Sequence, residues 1–257
     1  MVASVSPLKL QPAMKQNFLS TKQIPSRERL IVALDVPTNE DAYDLIKLLG
    51  DSAHFYKVGL ELIIGGRYIE IVERLVALGK KVMLDGKFFD VPETVKAAVR
   101  QAAKLNVTFA TVHGNDEILQ AAMEEKGDMK ILAVTVLTSL DESDIQSLGF
   151  PVDIPTLVSS RAKNALKLGC DGVVSSGQEA SSLREELGHK FLIVVPGIRP
   201  VANRDDRTDD QKRTVDVEEA FLYGSDYIVV GRPIRDKADP RAEAEKIQQR
   251  IAAVLGS

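Results

Sequence analysis

Two aspartates and a lysine stand close together in the stretch Asp85-Gly86-Lys87-Phe88-Phe89-Asp90. The apolar run Val82-Met83-Leu84 precedes it, so we expect a strand that ends near Lys87. Because side chains alternate along a strand, Asp85 and Lys87 should point to one face and Gly86 to the other. Charged groups are costly to bury unless they pair, and enzymes use such pairs to tune pKa values. The stretch therefore predicts a candidate catalytic site.

The same residues also fit a structural role. Asp90 and Glu93 match a helix capping box, with Pro92 in the first turn of the helix that follows. Asp85 and Lys87 could form an ordinary ion pair at the rim of a sheet. These six residues alone do not decide between the two interpretations.

Short apolar runs alternate with longer amphipathic stretches from Leu30 onward. About eight strand–helix units predict a single-domain α/β protein with a (β/α)8 TIM barrel. A doubly wound open sheet is the alternative, but no Gly-x-Gly-x-x-Gly follows the first strand. The strands are predicted at 30–36, 54–59, 81–87, 107–113, 130–137, 172–176, 191–196 and 226–231. The helices are predicted at 39–49, 62–78, 91–105, 116–123, 155–168, 179–187, 216–223 and 241–255.

In such a barrel, the carboxyl ends of the strands carry the active site. Charges and hydroxyl groups gather at these positions, which random surface placement would rarely produce. This favours a functional site over an isolated ion pair. In chain order the rim residues are Asp35, Lys57, Asp85 with Lys87, His113, Thr138 with Ser139, Ser175 with Ser176, Gly197 to Arg199, and Gly231 with Arg232.

Two turns combine glycine with arginine. The seventh strand ends in Pro196-Gly197-Ile198-Arg199-Pro200 and the eighth in Val230-Gly231-Arg232-Pro233. Barrels often hold a phosphate between these two loops, where glycine allows close backbone approach and arginine forms two hydrogen bonds. The alternative is a pair of tight turns with solvated arginines. The long charged connection 201–214, which contains Gln211, is typical of a lid or of a disordered segment, and a lid would close over the phosphate.

Composition narrows the partners and the compartment. The net charge of −4 gives no general attraction to nucleic acid or to an anionic membrane, and no apolar run approaches the roughly 18 residues of a membrane span. The single cysteine, Cys170, suits a reducing cytosol, so we expect a cytoplasmic protein. With three histidines and no paired spacing of histidine or cysteine, a zinc site is not expected.

The first part of the chain differs from the rest. Residues 1–27 contain four basic residues and no acidic one, together with several serines. This composition is shared by transit peptides and by plain flexible leaders, and we favour a leader. We therefore predict a flexible leader over residues 1–28 and a barrel domain over residues 29–257.

The chain from Leu30 to the C-terminus resembles the orotidine 5′-phosphate decarboxylase family. The resemblance rests above all on the Asp-x-Lys-x-x-Asp spacing of Asp85, Lys87 and Asp90. The other matching segments are Leu34-Asp35-Val36-Pro37, Lys57-Val58-Gly59, Leu137-Thr138-Ser139, Pro196-Gly197-Ile198-Arg199-Pro200, Gln211 and Gly231-Arg232-Pro233.

The resemblance implies a homodimeric barrel that converts orotidine 5′-phosphate to UMP without metal or cofactor. It implies that Lys87 protonates C6 of the pyrimidine within an array of alternating charges. The catalytic residues that it implies are Lys57, Asp85, Lys87 and Asp90, the last contributed across the dimer interface. The substrate-binding residues that it implies are Asp35, Lys57, Asp85, Thr94 from the partner subunit, Thr138, Arg199, Gln211, Gly231 and Arg232.

Two residues depart from the family pattern. Gly86 stands where a bulkier residue is usual, and Phe89 where histidine is common. We expect Gly86 to face away from the substrate and to weaken the strand by about 1 kcal/mol or less. For His113, a hydrogen-bonded structural role is favoured over a role as acid or base.

Two rival functions remain open. A sugar-phosphate decarboxylase or aldolase on a related barrel shares the Asp-x-Lys-x-x-Asp motif but uses Mg²⁺ on an enediolate. A barrel that binds a nucleotide without catalysis is the other alternative. Gln211 and the Gly231-Arg232 pair favour a nucleotide substrate over a sugar phosphate.

Overall fold

The computed structural model describes residues 18–200 and 213–256. Within them, eight parallel strands close into a barrel in sequence order, with β8 hydrogen-bonded to β1. The predicted (β/α)8 barrel is confirmed. The strands are β1 Leu30–Ala33, β2 Phe55–Gly59, β3 Lys81–Phe88, β4 Phe109–Val112, β5 Lys130–Val134, β6 Gly172–Val174, β7 Leu192–Val195 and β8 Tyr227–Val230.

Helices cover the outside of this barrel. Their apolar faces pack with the outward-facing strand residues into one large core. No helix in the described part of the chain is long and apolar enough to cross a membrane. The helices are α1 Asn39–Leu49, α2 Leu60–Ile64, α3 Tyr68–Ala77, α4 Pro92–Lys104, α5 Asp116–Glu124, α6 Glu142–Ser147, α7 Ile154–Lys167, α8 Gly177–Leu187, α9 Val217–Leu222, α10 Arg232–Arg235 and α11 Pro240–Leu255.

Several strands end earlier than predicted. β1 ends at Ala33 and β5 at Val134, whereas the predictions extended to residues 36 and 137. The polar residues that follow, such as Asp35 and Thr138, therefore lie in loops beyond the sheet. Side chains on these loops form the rim of the barrel, where the candidate site lies.

One predicted helix is wrong in its extent. The range 62–78 covers the end of α2 and all of α3, with Gly65 and Gly66 between the two helices. Gly66 has a φ of 100°, a backbone conformation that glycine adopts without the strain of a side chain, so the first helix stops there. Two further short helices, α6 and α10, are absent from the prediction.

Aromatic rings fill the inside of the barrel. The ring centroids of Phe55 and Phe109 are 5.0 Å apart, and Tyr227 stands edge-on to both, at 5.7 and 5.2 Å. Edge-to-face contacts of this kind are favourable beyond the burial of area. Ala33 and Met83 belong to the same inner core and also line the cavity at the carboxyl ends of the strands. The inner core thus forms a packed floor under the site.

The structure contradicts part of the predicted leader. Phe18 is buried, and Lys22 Nζ lies 3.1 Å from the fully buried carboxylate of Asp226. A buried carboxylate requires a cationic partner, and this contact holds the segment to the base of the barrel. Residues 18–28 therefore belong to the packed domain, so the boundary predicted at residue 29 is too late. The first 17 residues of the predicted leader lie outside the described residues.

Candidate active site

The carboxylate of Asp85 lies between two lysine amines. Its Oδ2 is 2.9 Å from Lys87 Nζ and 3.5 Å from Lys57 Nζ. Lys57 Nζ is also 2.7 Å from Oδ1 of Asp35. Three neighbouring strands place these groups, since Asp35 follows β1, Lys57 lies in β2, and both Asp85 and Lys87 lie in β3. The structure thus brings four predicted site residues into a row of alternating charge.

Burial makes this row depend on charge pairing. The side chains of Asp85 and Lys57 are 9% and 11% exposed, whereas that of Lys87 is 34% exposed. Burial alone would raise the pKa of Asp85, but the amines of Lys57 and Lys87 outweigh it and hold the pKa below its usual range. Burial would lower the pKa of Lys57, but Asp85 and Asp35 raise it above its usual range. Asp85 and Lys57 therefore stay ionised at neutral pH.

A threonine on the next strand fixes the orientation of Asp85 and Lys87. Thr111 in β4 donates a hydrogen bond of 2.9 Å to Asp85 Oδ1 and accepts one of 2.9 Å from the backbone N–H of Lys87. Thr111 is not among the residues predicted from the sequence. The available signal is that its hydroxyl interrupts an apolar strand two residues before His113.

The backbone at Lys87 is irregular. Lys87 has a φ of 45°, in the left-handed region, and the pairing of β3 with β4 shifts register between Leu84 and Phe88. The side chains of Asp85 and Lys87 meet as predicted, but the regular alternation on which that prediction rested does not hold. A left-handed conformation costs a residue with a side chain about 1–2 kcal/mol, and such strain concentrates at functional sites.

Replacing Thr111 by valine tests this support. We expect kcat to fall about tenfold, and the free energy of unfolding to fall by about 1–3 kcal/mol because the Lys87 N–H loses its acceptor. The lost hydrogen bond also favoured the ionised form of Asp85, so the pKa of Asp85 rises and activity is lost at a higher pH on the acid side. Kinetics over pH and urea unfolding measure these effects. Thr108→Val, just before the opposite end of the same strand, should leave both the pH profile and kcat unchanged.

A cavity of about 740 Å³ opens beside the row of charges. This volume lies within the range typical of small-molecule sites. Asp35, Lys57, Asp85 and Lys87 line it from the ends of β1 to β3. The predicted residues that line it from the ends of β5, β7 and β8 are Thr138, Arg199, Gly231 and Arg232. Lining residues absent from the prediction include Glu61 and Arg235.

Three predicted site residues are not among the described residues that line this cavity. Asp90 is exposed, and its Oδ1 accepts a hydrogen bond of 2.7 Å from the N–H of Val91. Thr94 is exposed in the first turn of α4. The capping-box alternative for Asp90 is wrong, because Val91 is the N-cap residue of α4 and no side chain caps it. Gln211 lies outside the described residues.

Three other residues singled out in the sequence have packed surroundings. His113 is half-buried with its ring 5.6 Å from that of Phe89, and burial lowers the pKa of its imidazole. Cys170 is buried, which raises the pKa of its thiol to about 12 and makes it a poor nucleophile at neutral pH. A Cβ at Gly86 would lie 2.6 Å from the ring of Phe88, and Gly86 does not line the cavity.

Comparison with known families identifies the family of the chain. The sequence model of the orotidine 5′-phosphate decarboxylase / HUMPS family matches residues 28–247. The chain belongs to this family. The resemblance predicted from the sequence is confirmed, and with it an enzyme of the decarboxylase class, a carbon–carbon lyase.

Relatives within the orotidine 5′-phosphate decarboxylase family match nearly the whole chain. The orotidine 5′-phosphate decarboxylase of Methylococcus capsulatus is 56% identical over 241 residues, which are 94% of this chain and 99% of that protein. The enzyme of the same name from Nitrobacter winogradskyi is 48% identical over 90% of this chain and 95% of its own. The crystal structure of orotidine 5′-phosphate decarboxylase from Lactobacillus acidophilus superposes with a TM-score of 0.77 at 34% identity, covering 90% of this chain and 100% of that one.

Proposed function

We propose that this protein decarboxylates orotidine 5′-phosphate to UMP in the cytoplasm, without a metal or cofactor. The observation that carries the proposal is the row of Asp35, Lys57, Asp85 and Lys87 at a cavity that three arginines also line, in a chain of this family. A fixed amine suits a substrate that becomes a carbanion, and the arginines suit its phosphate. The single buried cysteine fits a reducing compartment.

The reaction requires a site that stabilises negative charge on one carbon. The bond between C6 and the carboxylate carbon breaks, CO₂ leaves, and the electron pair stays on C6. The ring cannot delocalise this pair well, so the ammonium group of Lys87 stabilises it electrostatically. Lys87 then transfers a proton to C6, and its neutral amine regains a proton from solvent.

The other charges of the row hold Lys87 ready for this step. Asp85 faces the departing carboxylate, so repulsion between the two negative groups is relieved when CO₂ leaves. Lys57 pairs with Asp35 and Asp85 and keeps the buried row close to neutral.

The substrate lies across the cavity. We assign Asp35 to the ribose and Thr138 to the pyrimidine. Gly231, Arg232 and Gln211 bind the phosphate, with Arg199 nearby. Asp35, Thr138, Arg199, Gly231 and Arg232 line the same cavity, which supports these assignments, whereas the assignment of Gln211 rests on the family resemblance.

Turnover in a chelator tests the reaction. We expect the purified protein to decarboxylate orotidine 5′-phosphate equally fast in EDTA and in excess Mg²⁺, because Lys87 supplies the positive charge at the reacting carbon. The absorbance change of the pyrimidine measures the rate. A metal-dependent sugar-phosphate decarboxylase would not convert this substrate, and EDTA would abolish its activity on its own substrate. Absence of CO₂ release from any preparation would favour the non-catalytic nucleotide-binding barrel.

A second copy of the chain completes the site in this proposal. Asp90 and Thr94 are exposed beside the ends of β2 and β3. Large apolar side chains are exposed in the same region, on α2 and in the segment between β3 and α4, which is typical of a surface that contacts another protein. We assign this surface to a homodimer that places the partner subunit's Asp90 beside Lys87. The exposed apolar residues are Leu60, Ile64, Phe89 and Val91, with 52%, 81%, 68% and 63% of their surface exposed.

Subunit complementation tests the shared site. Lys87→Ala and Asp90→Ala chains are each expected to be nearly inactive, but their heterodimer contains one complete site, with Lys87 from one chain and Asp90 from the other. Random mixing gives about half heterodimers, so co-expressed chains should recover about a quarter of wild-type activity. If Asp90 acts within its own subunit, no complete site forms and the mixture stays inactive.

A further inference from the structure

The buried pair Arg213 and Glu179 lies beside the cavity and has no part in the roles assigned above. Arg213 Nη1 is 2.5 Å from Glu179 Oε1, and the two side chains are each 10% exposed. Glu179 lies in the first turn of α8. Burial raises the pKa of Glu179, and the charge of Arg213 opposes that rise. A buried ion pair is often no more stabilising than an apolar pair of the same volume, so stability alone does not explain why this pair is present.

Two further donors of Arg213, its Nη2 and its backbone N–H, bind the loop after β5. Its Nη2 donates to the carbonyl oxygens of Val136 at 3.1 Å and Leu137 at 2.9 Å, and its backbone N–H donates to that of Thr138 at 3.3 Å. β5 ends at Val134, so these three carbonyl groups lie beyond the ladder of the sheet. Buried carbonyl groups need donors, and Arg213 supplies them where the sheet no longer does.

The other end of this bridge is firmly seated. Ser175 Oγ donates to Glu179 Oε2 at 3.4 Å, and Ser176 Oγ donates to the carbonyl oxygen of Arg213 at 3.4 Å. A Cβ at Gly177 would lie 2.4 Å from a methyl carbon of Val215, so the start of α8 is in close contact with the segment that carries Arg213. The loop after β5 is therefore tied to a rigid helix start.

The bridged loop forms a wall of the cavity. Val136, Leu137 and Thr138 all line it, and Thr138 is 8% exposed. We propose that Arg213 is a positioning residue, which holds Thr138 in place for the pyrimidine by tying the loop after β5 to Glu179. This proposal rests on the proposed function and deepens it. Arg213 acts through the loop and does not touch the substrate.

Arg213→Lys tests the proposal at constant charge. A lysine amine can pair with Glu179 or with a loop carbonyl but cannot match the planar fork that reaches both. We expect the Kd of UMP, measured by calorimetry, to rise about tenfold, while the Kd of ribose 5-phosphate, which lacks the base, stays unchanged. An equal loss for both ligands, or no loss for either, would overturn the proposal.

A double-variant cycle with Thr138→Ala separates positioning from general destabilisation. If Arg213 acts through Thr138, Arg213→Lys should weaken UMP binding no further once Thr138 is alanine, because the two residues then serve one contact. If the losses of UMP affinity in the two single variants multiply in the double variant, Arg213 acts through a contact other than Thr138. Should Arg213→Lys fail to fold, Glu179→Gln takes its place, and the same preference for UMP over ribose 5-phosphate is expected to weaken.

Arg184, which lies on α8 together with Glu179, provides a matched control. Its Nη2 is 2.8 Å from Asp226, and it donates to the carbonyl oxygens of Gly224 and Phe191 at 2.9 Å each, at the base of the barrel. Arg184→Lys should lower the Tm and leave the Kd of both ligands unchanged. Wild-type protein that binds ribose 5-phosphate but neither binds UMP nor releases CO₂ would refute the proposed function itself. If instead the wild type binds UMP and Arg213→Lys leaves base recognition unchanged, only the positioning role of Arg213 is refuted.

Discussion

Replacing Lys87 by alanine is expected to abolish CO₂ release, with kcat/KM lower by at least about 10⁴-fold. The variant loses both the positive charge beside C6 and the proton donor, and these act in the transition state far more than in the bound substrate. UMP binding should change by less than about tenfold, because the contacts to ribose and phosphate remain. Single-turnover assays and calorimetry measure the two effects separately.

The fold should survive this change. Asp85 keeps Lys57 at 3.5 Å and the hydroxyl of Thr111 at 2.9 Å, so its buried carboxylate does not lose every partner. Lys81→Ala is a matched control, since Lys81 begins the same strand at the opposite end of the barrel and pairs with Glu28. That variant should keep full activity. If Lys87→Ala accelerated the reaction over the uncatalysed rate nearly as much as the wild type does, the role of Lys87 would be refuted.

The barrel and much of its rim could be predicted because both follow from local patterns. Apolar runs at strand spacing locate β1 and β3, and the polar residue that ends each run is the one that the barrel turns toward the cavity. Asp35 and Asp85 were therefore accessible from spacing alone. Their pairing through Lys57 follows from the strand order of the barrel, in which β2 lies between β1 and β3.

What could not be predicted depends on contacts between distant parts of the chain. The left-handed backbone at Lys87 is compensated by Thr111, which lies 24 residues further on, so no local pattern reveals it. Arg213 binds the loop after β5 across more than 70 residues of sequence. The alternation expected for a strand fails at Lys87 because the backbone there is left-handed, the pairing with β4 shifts register, and the N–H binds the side chain of Thr111.

Phosphate recognition should depend on Arg232, and Arg232→Ala is expected to weaken UMP binding by about 10–100-fold, the value of one or two charge-assisted hydrogen bonds. Uridine has no phosphate, so its affinity should change by no more than about twofold. The loss with UMP should also shrink as salt is added, because screening already weakens the contact between guanidinium and phosphate in the wild type. Calorimetric titration of both ligands at two salt concentrations measures these differences.

Two controls sharpen the assignment of Arg232. Arg241→Ala removes the same charge from α11, where Arg241 is exposed and pairs with Glu245, and it should leave both affinities unchanged. Arg232→Lys keeps the charge but loses the planar fork, so it should fall between wild type and alanine for UMP. Equal losses for UMP and uridine in Arg232→Ala would remove Arg232 from the phosphate site. The cation at the end of β8 would then act on the nucleoside, and the orientation proposed for the substrate in the cavity would have to be reversed.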